Sequence, residues 1–289
     1  MRVQVIVLGV ALLCASSARG ESDSRPFRCL DGEWKGARAS FLSTDDSSLN
    51  LYNGLLWSGS AFAVFGAADP PGDPRWSGRN SFDDAFRSGL KLNSDSSQDD
   101  AATASDAFWF ATMAAPLLVD GLKTWSDGHC DESFGIASHW LESMSLTALL
   151  VGSTKVIAAR ERPGSSNRES FFSGHASLAA TGAGLLCRDS IRNEIWGSGT
   201  LEKAIPCGLG IAGAVTTGML RISGDKHWMT DVLVGWAAGA LIGYFDLYGP
   251  FDLLRFRVRG DGGKTSAVGF VAPYARRGGI GAQISMQFY

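Results

Sequence analysis

The spacing of apolar residues along the chain predicts a mostly helical protein. Apolar positions recur every three or four residues in segments that show no strand-like alternation. The pattern predicts five helices, at roughly 107–123, 136–160, 175–187, 204–220 and 228–246. A short amphipathic helix is expected to start near Ser81. The Ser- and Asp-rich stretch 93–106 is expected to be a polar loop.

The two ends of the chain differ from this helical part, which is taken as one domain, 105–248. Residues 1–20 combine an early Arg, an apolar run and small residues, which indicates a secretory signal peptide, with an uncleaved anchor helix as the alternative. Residues 21–104 are expected to form a polar arm and accessory helices. Within them, 51–68 is uncharged and fits either a short membrane span or a buried helix. The tail, 249–289, has two runs around "RRGG" that predict a β-hairpin.

Composition narrows the class of protein further. Hydrophobic residues make up 45% of the 289 residues, charged residues 19%, and there are 36 glycines. This suits closely packed helices, either in a membrane or in a compact bundle. Only 51–68 and 204–220 approach the length that a bilayer requires, so the sequence leaves membrane insertion open. The net charge of −3 argues against a nucleic-acid partner.

Cysteine usage agrees with an exported protein. Four cysteines follow the predicted signal peptide: Cys29, Cys130, Cys187 and Cys207. Under oxidising conditions one or two disulfides are expected, and the sequence does not choose among the three full pairings. No CxxC pair occurs, and no metal site is expected.

Polar groups at the ends of the predicted helices indicate an anion-binding site. Lys155 and Arg162 lie two helical turns apart and share a face if the helix continues until Pro163 stops it. Ser173 and Gly174 stand at the next helix N-terminus, where backbone N–H groups are unpaired and the dipole is positive. Short up-and-down connections would bring these groups to the same rim of the bundle as the ends of the last two helices.

The remaining residues of that rim suggest phosphate chemistry. Arg221 ends one predicted helix and, with the other cations, can neutralise a phosphate group. Asp231 lies four residues after His227, so it can hold one imidazole nitrogen and leave the other free as a nucleophile. His175 is the expected general acid for the leaving oxygen. We expect a phosphohistidine that water then hydrolyses, with no metal or other cofactor because the cations supply the electrostatic stabilisation.

Three segments carry a family resemblance: Lys155-x6-Arg162-Pro163, Phe172-Ser173-Gly174-His175 and Arg221-x5-His227-x3-Asp231. Together they resemble the three-part signature of the type 2 phosphatidic acid phosphatase and vanadium haloperoxidase superfamily, over roughly residues 105–246. The resemblance implies an α-helical bundle that dephosphorylates lipid phosphates or diphosphates at the outer face of a membrane. It implies phosphate binding by Lys155, Arg162, Ser173, Gly174 and Arg221. It also implies His227 as nucleophile, Asp231 as its partner and His175 as acid.

Two departures from the family pattern bear on loop shape and substrate preference. Phe172 stands where the family usually has Pro, and Leu220 where it usually has Ser. The expected protein is a phosphatase of the bacterial cell envelope, in the periplasm or at the periplasmic face of the inner membrane, acting on a phosphorylated substrate, foremost a lipid. The alternatives are an acid phosphatase for small soluble phosphates, a haloperoxidase that uses vanadate as a phosphate mimic, and a non-catalytic envelope protein.

Overall fold

The computed structural model describes residues 58–59, 76, 80–128 and 130–245, and the backbone of three C-terminal strands. The predicted signal peptide, the polar arm and most of the apolar stretch 51–68 lie outside the described residues, as does Cys29. The division into four regions therefore stays a prediction.

An all-α bundle is confirmed as the fold class. The helices are α1 (Ser81–Leu90), α2 (Asp95–Ala115), α3 (Gly121–Ser126), α4 (Cys130–Ala158), α5 (Gly174–Ile191), α6 (Thr200–Ser223) and α7 (Met229–Phe245). A π-helical turn, Pro116–Asp120, joins α2 to α3 without a break. Each predicted helix is present, with ends that differ from the predicted ones.

The prediction of a polar loop at 93–106 was wrong, because most of that stretch is the first half of α2. The side chain of Ser94 caps the helix by accepting a hydrogen bond from the backbone N–H of Ser97, and Asp95 supplies an acidic side chain in the first turn. In this protein the Ser/Asp-rich run therefore begins a helix, with Ser94 as its cap. Asp106 is thereby carried on a helix rather than in a loop.

The helix that carries Lys155 of the first motif also ends earlier than predicted. Helix α4 stops at Ala158, and Ala159 adopts a positive φ of 43°, which breaks the helical path. Arg162 therefore lies in the loop that follows and does not share a helix face with Lys155. Pro163 is not the residue that ends the helix.

The predicted hairpin is present in the tail. Strands β2 (Thr265–Arg276) and β3 (Gly279–Phe288) pair antiparallel around the "RRGG" segment. A further strand, β1 (Arg255–Arg259), pairs with the other edge of β2.

Three stretches are long and apolar enough to cross a membrane: Asp95–Ser126, Gly135–Ala158 and Thr200–Ser223. Only the last had been singled out from the sequence. Beyond the first turn of α6 the exposed side chains are apolar, and Leu209 is 69% exposed. Exposed apolar faces of this extent indicate membrane association.

One of the possible disulfides is present in the described part of the chain. Cys187 of α5 is bonded to Cys207 of α6. The two helices are thus joined covalently about 20 Å along α5 from its start at Gly174, given the rise of 1.5 Å per residue.

The tightest helix pair, α5 and α7, runs parallel with almost no side-chain layer between its members. Gly235, Gly239 and Gly243 recur every four residues along α7. Cβ atoms at these positions would lie 2.9, 2.0 and 2.3 Å from backbone oxygens of Ser173, Ser177 and Thr181, respectively. Small residues at this spacing let two backbones approach closely. The contact fixes the register of the two helices and so the relative position of their N-termini.

We expect Gly239→Ala to disrupt this pair, because the added methyl group overlaps a backbone oxygen that cannot move without moving α5. Overpacking of this kind costs about 1–3 kcal/mol or more. Thermal unfolding followed by far-UV circular dichroism is the measurement. Gly208→Ala in α6 is the matched control, since nothing lies within 4 Å of its Cβ position. Equal melting temperatures for both variants would contradict the close contact.

Candidate active site

The site lies at the end of the bundle where α5 and α7 begin and α4 and α6 end. The loop between α4 and α5 crosses this end. A backbone hydrogen bond from Ser173 N–H to the Asp231 carbonyl, 3.1 Å long, ties the starts of α5 and α7 together. The third and second motifs are therefore adjacent in space, although residues 176–220 separate them in the sequence.

The Asp231 carboxylate is held by several hydrogen bonds. It is completely buried. Its Oδ2 accepts hydrogen bonds from the Ser170 hydroxyl at 2.5 Å and from the Trp228 backbone N–H at 3.0 Å. Its Oδ1 accepts one from Arg160 at 2.5 Å. Burial opposes ionisation, but the interactions with His227, Arg160 and Ser170 outweigh it and lower the pKa of Asp231. The carboxylate is therefore ionised.

His227 is held with a defined tautomer. Its Nδ1 lies 2.8 Å from the Ser170 carbonyl oxygen and 3.6 Å from Asp231 Oδ2. Because a carbonyl oxygen only accepts, Nδ1 carries the proton and Nε2 bears the lone pair. Burial, together with the charges of Arg221 and Arg162, lowers the pKa of His227 to about 4, against the opposing effect of Asp231. The imidazole is neutral at physiological pH, as a nucleophile must be.

His175 stands in the first turn of α5, and two residues of α2 contact it. Its Nε2 lies 3.0 Å from Asp106 Oδ1, and its ring centroid lies 4.6 Å from that of Trp109. Burial is the main cause that lowers its pKa to about 3, and the positive charges of Arg221, Lys155 and Arg162 lower it further. Cations of the first and third motifs thus act electrostatically on the imidazole of the second.

Several donors of this cluster are left without partners within the described residues. The buried Nε atoms of Arg162 and Arg221 and the indole Nε1 of Trp109 make no hydrogen bond there. Arg221 reaches Asp106 and Ser105 only at 3.3 Å, and Arg162 reaches Glu169 at 3.9 Å. Buried unpaired donors are costly, and an anion that accepts from them removes that cost.

The second motif begins α5 as predicted. Ser173 is fully buried and caps the helix, its hydroxyl oxygen accepting from Ala176 N–H at 3.4 Å. Gly174 is the first helical residue. The Ser173 hydroxyl retains its own proton, so direct donation from it to phosphate, like donation from the Gly174 amide, stays a prediction. Phe172 is buried at 3% exposure.

Sequence patterns did not identify several residues that the fold brings to the site: Asp83, Trp76, Ser105, Asp106, Trp109, Arg160, Ser170, Thr230 and Trp228. Arg160 carried a detectable signal, because it lies within the first motif between Lys155 and Arg162. Asp106 and Trp109 carried no such signal, because Asp106 was predicted to lie in a loop and Trp109 in the helix after it. No metal-binding cluster of three or more His, Cys, Asp or Glu side chains occurs among the residues the structure describes.

Comparison with known proteins supports the family resemblance. Residues 160–254 match the family model described as the PAP2 superfamily. This segment, less than half of the chain, is thus similar to the PAP2 superfamily, and the similarity supports a phosphatase-type activity in general. The matched segment holds the second and third motifs and Arg162, and begins after Lys155. No curated protein and no solved structure matches the chain.

The two lowered histidine pKa values predict a loss of stability in mild acid. The ordinary value is 6.5, and His227 and His175 titrate at about 4 and about 3 in the folded protein. Below pH 6.5 the unfolded chain therefore binds protons that the folded chain does not, so stability is full above pH 6.5 and falls toward pH 4. Each histidine contributes a slope of up to about 1.4 kcal/mol per pH unit.

Denaturant unfolding at a series of pH values measures this slope. His175→Asn removes one of the two groups and is expected to flatten the dependence between pH 6.5 and 4. A slope that is the same in the variant and in the wild type would contradict the burial of a neutral His175.

Proposed function

We propose that this protein is a metal-independent phosphatase that hydrolyses a phosphomonoester or diphosphate through a phosphohistidine intermediate. The observations that carry the proposal are the buried, unpaired Nε atoms of Arg162 and Arg221 and the neutral His227 imidazole of defined tautomer, whose pKa both arginines lower. Lys155, Arg162 and Arg221 supply the positive charge that a phosphate requires, and the N-terminus of α5 adds backbone donors.

In this mechanism His227 Nε2 attacks phosphorus and the bond to the leaving oxygen breaks. The imidazole becomes positively charged as the N–P bond forms, and the ionised Asp231 nearby stabilises that charge. His175 gives a proton to the leaving oxygen and then takes one from the water that cleaves the N–P bond. After burial, cations are the next cause of the lowered pKa of His175, and a bound phosphate offsets them. Substrate binding therefore raises this pKa toward the protonated form needed for the first step.

A lipid phosphate is the proposed substrate class. The support is the extent of apolar surface on the helices around the site and the three stretches able to cross a membrane. Such a protein would hold its site near the level of lipid head groups. We place the site on the outer side of the membrane, in line with the export signal expected at the N-terminus.

The nucleophile is tested with His227→Ala. We expect turnover to fall by roughly a thousandfold or more, as it does when a catalytic histidine is removed elsewhere. Phosphate-release assays measure the loss, and acid-labile labelling from a radioactive substrate should disappear in the same variant. Lys226→Ala is the control, since this neighbour is only paired at 3.3 Å with Asp99 on the surface. Hydrolysis at the wild-type rate in the His227 variant would exclude the assigned role.

The substrate class is tested with a panel of phosphates assayed in detergent micelles. It contains phosphatidic acid, phosphatidylglycerol phosphate, an isoprenyl diphosphate and small soluble monoesters. We expect kcat/KM to be higher for the lipids because their chains can contact the exposed helices. A preference for the soluble esters would indicate a soluble-phosphate phosphatase instead. Halide oxidation in the presence of vanadate, without phosphate release, would indicate the haloperoxidase alternative.

A further inference from the structure

Behind Asp231, on the side away from His227, lies a fully buried ion-pair cluster. Arg160, in the loop after α4, is 0% exposed and sits between two carboxylates that are equally buried. Its Nη1 lies 2.5 Å from Asp231 Oδ1, and its Nη2 lies 2.6 Å from Asp83 Oδ2. Asp83 belongs to α1, far upstream of the segment that matches the PAP2 family model.

Further contacts fix this cluster in place. The Asp83 carboxylate accepts hydrogen bonds at 2.8 Å from the backbone N–H and from the hydroxyl of Thr230, the residue before Asp231. Arg160 also donates to the Thr230 hydroxyl at 2.7 Å. The guanidinium carbon lies 4.2 Å from the centre of the Trp76 ring and 5.7 Å from that of Trp228. A planar guanidinium held by carboxylates and ring faces has one orientation.

Charge balance gives the cluster a function beyond packing. A buried Arg160 paired with Asp231 alone would neutralise the carboxylate that has to stabilise a positively charged His227. With Asp83 present, two carboxylates face one guanidinium, and the cluster keeps one net negative charge beside the imidazole. That charge is balanced when His227 becomes cationic on attacking phosphorus, in a buried setting where such interactions are strong.

We propose that Arg160 and Asp83 are positioning residues of this site: Arg160 orients the Asp231 carboxylate, and Asp83 neutralises Arg160 so that Asp231 keeps its negative charge toward His227. The inference rests on the proposed phosphohistidine mechanism. It assigns α1 an indirect part in the chemistry, through Arg160 and Asp231, although α1 carries none of the three motifs.

The test compares steady-state kinetics of full-length Asp83→Asn with those of Asp84→Asn, a change of the same type at the next residue. With p-nitrophenyl phosphate as substrate, we expect kcat of Asp83→Asn to fall roughly ten- to hundredfold, as for other residues that orient a reacting histidine or ligand from behind. KM and inhibition by vanadate should change less than about twofold, because the phosphate-binding cations are untouched. A kcat equal to that of Asp84→Asn would overturn the proposal.

A double variant separates charge balance from simple support of the fold. Asp83→Asn leaves a buried Arg160 without its counter-charge, whereas Asp83→Asn/Arg160→Met removes both partners, which buried pairs tolerate better. We expect kcat of the double variant to lie above that of Asp83→Asn and below that of the wild type. A double variant no faster than Asp83→Asn would overturn the proposal. If Asp83→Asn does not fold, the double variant is compared directly with His227→Ala. A kcat of the double variant as low as that of His227→Ala would then overturn the proposal.

A titration that does not depend on turnover distinguishes this proposal from the proposed function. Arg160→Met removes the cation that offsets the two carboxylates, so their negative charge acts more strongly on His227. NMR of labelled histidine should then show the pKa of His227 rising above the value of about 4. An unchanged titration would contradict the coupling. Failure of the wild type to release phosphate from any substrate would instead contradict the phosphatase assignment and leave this readout intact.

Discussion

The close contact between α5 and α7 is the constraint on which the site depends. Because the backbones of these parallel helices touch through Gly235, Gly239 and Gly243, neither helix can slide or rotate against the other. Their N-termini are therefore fixed side by side, and the hydrogen bond from Ser173 to the Asp231 carbonyl joins them. His175, in the first turn of α5, and His227, two residues before α7, are thereby brought to the same end of the bundle, and the Ser170 carbonyl of the loop before α5 orients His227.

On this frame, burial and charge act together on the imidazoles. Burial and nearby cations keep both histidines neutral, while the carboxylate near His227 is held ionised by its interactions with His227, Arg160 and Ser170. In the proposed mechanism the cations bind the phosphate, and negative charge lies behind the nucleophile. Arg160 does not disturb this order, because Asp83 offsets it.

The sequence predicted the helices and the three motifs because both depend on local patterns. Apolar spacing reports helices directly, and the motif residues lie within a few positions of helix ends. It could not predict the contributions of α1 and α2, because Asp83 and Asp106 meet the site only through tertiary packing. It also misjudged two boundaries. The cap at Ser94 turned an expected loop into a helix, and the left-handed Ala159 placed Arg162 off the helix. The proximity of Asp231 to His227 was expected from their spacing in the sequence. The nearest hydrogen-bond acceptor of His227 Nδ1 is instead the Ser170 carbonyl, which lies in a loop whose path the sequence pattern does not predict.

The carboxylate of Asp106 has a consequence for which ions can enter. One of its oxygens lies near both His175 and Arg221, and the side chain is 57% exposed. In the proposed phosphate site, an incoming anion would have to replace this internal counter-ion. A singly charged anion such as acetate or chloride would replace one negative charge with another, whereas a doubly charged anion would bring one more negative charge to the cations. The proposed site would therefore favour doubly charged anions over singly charged ones.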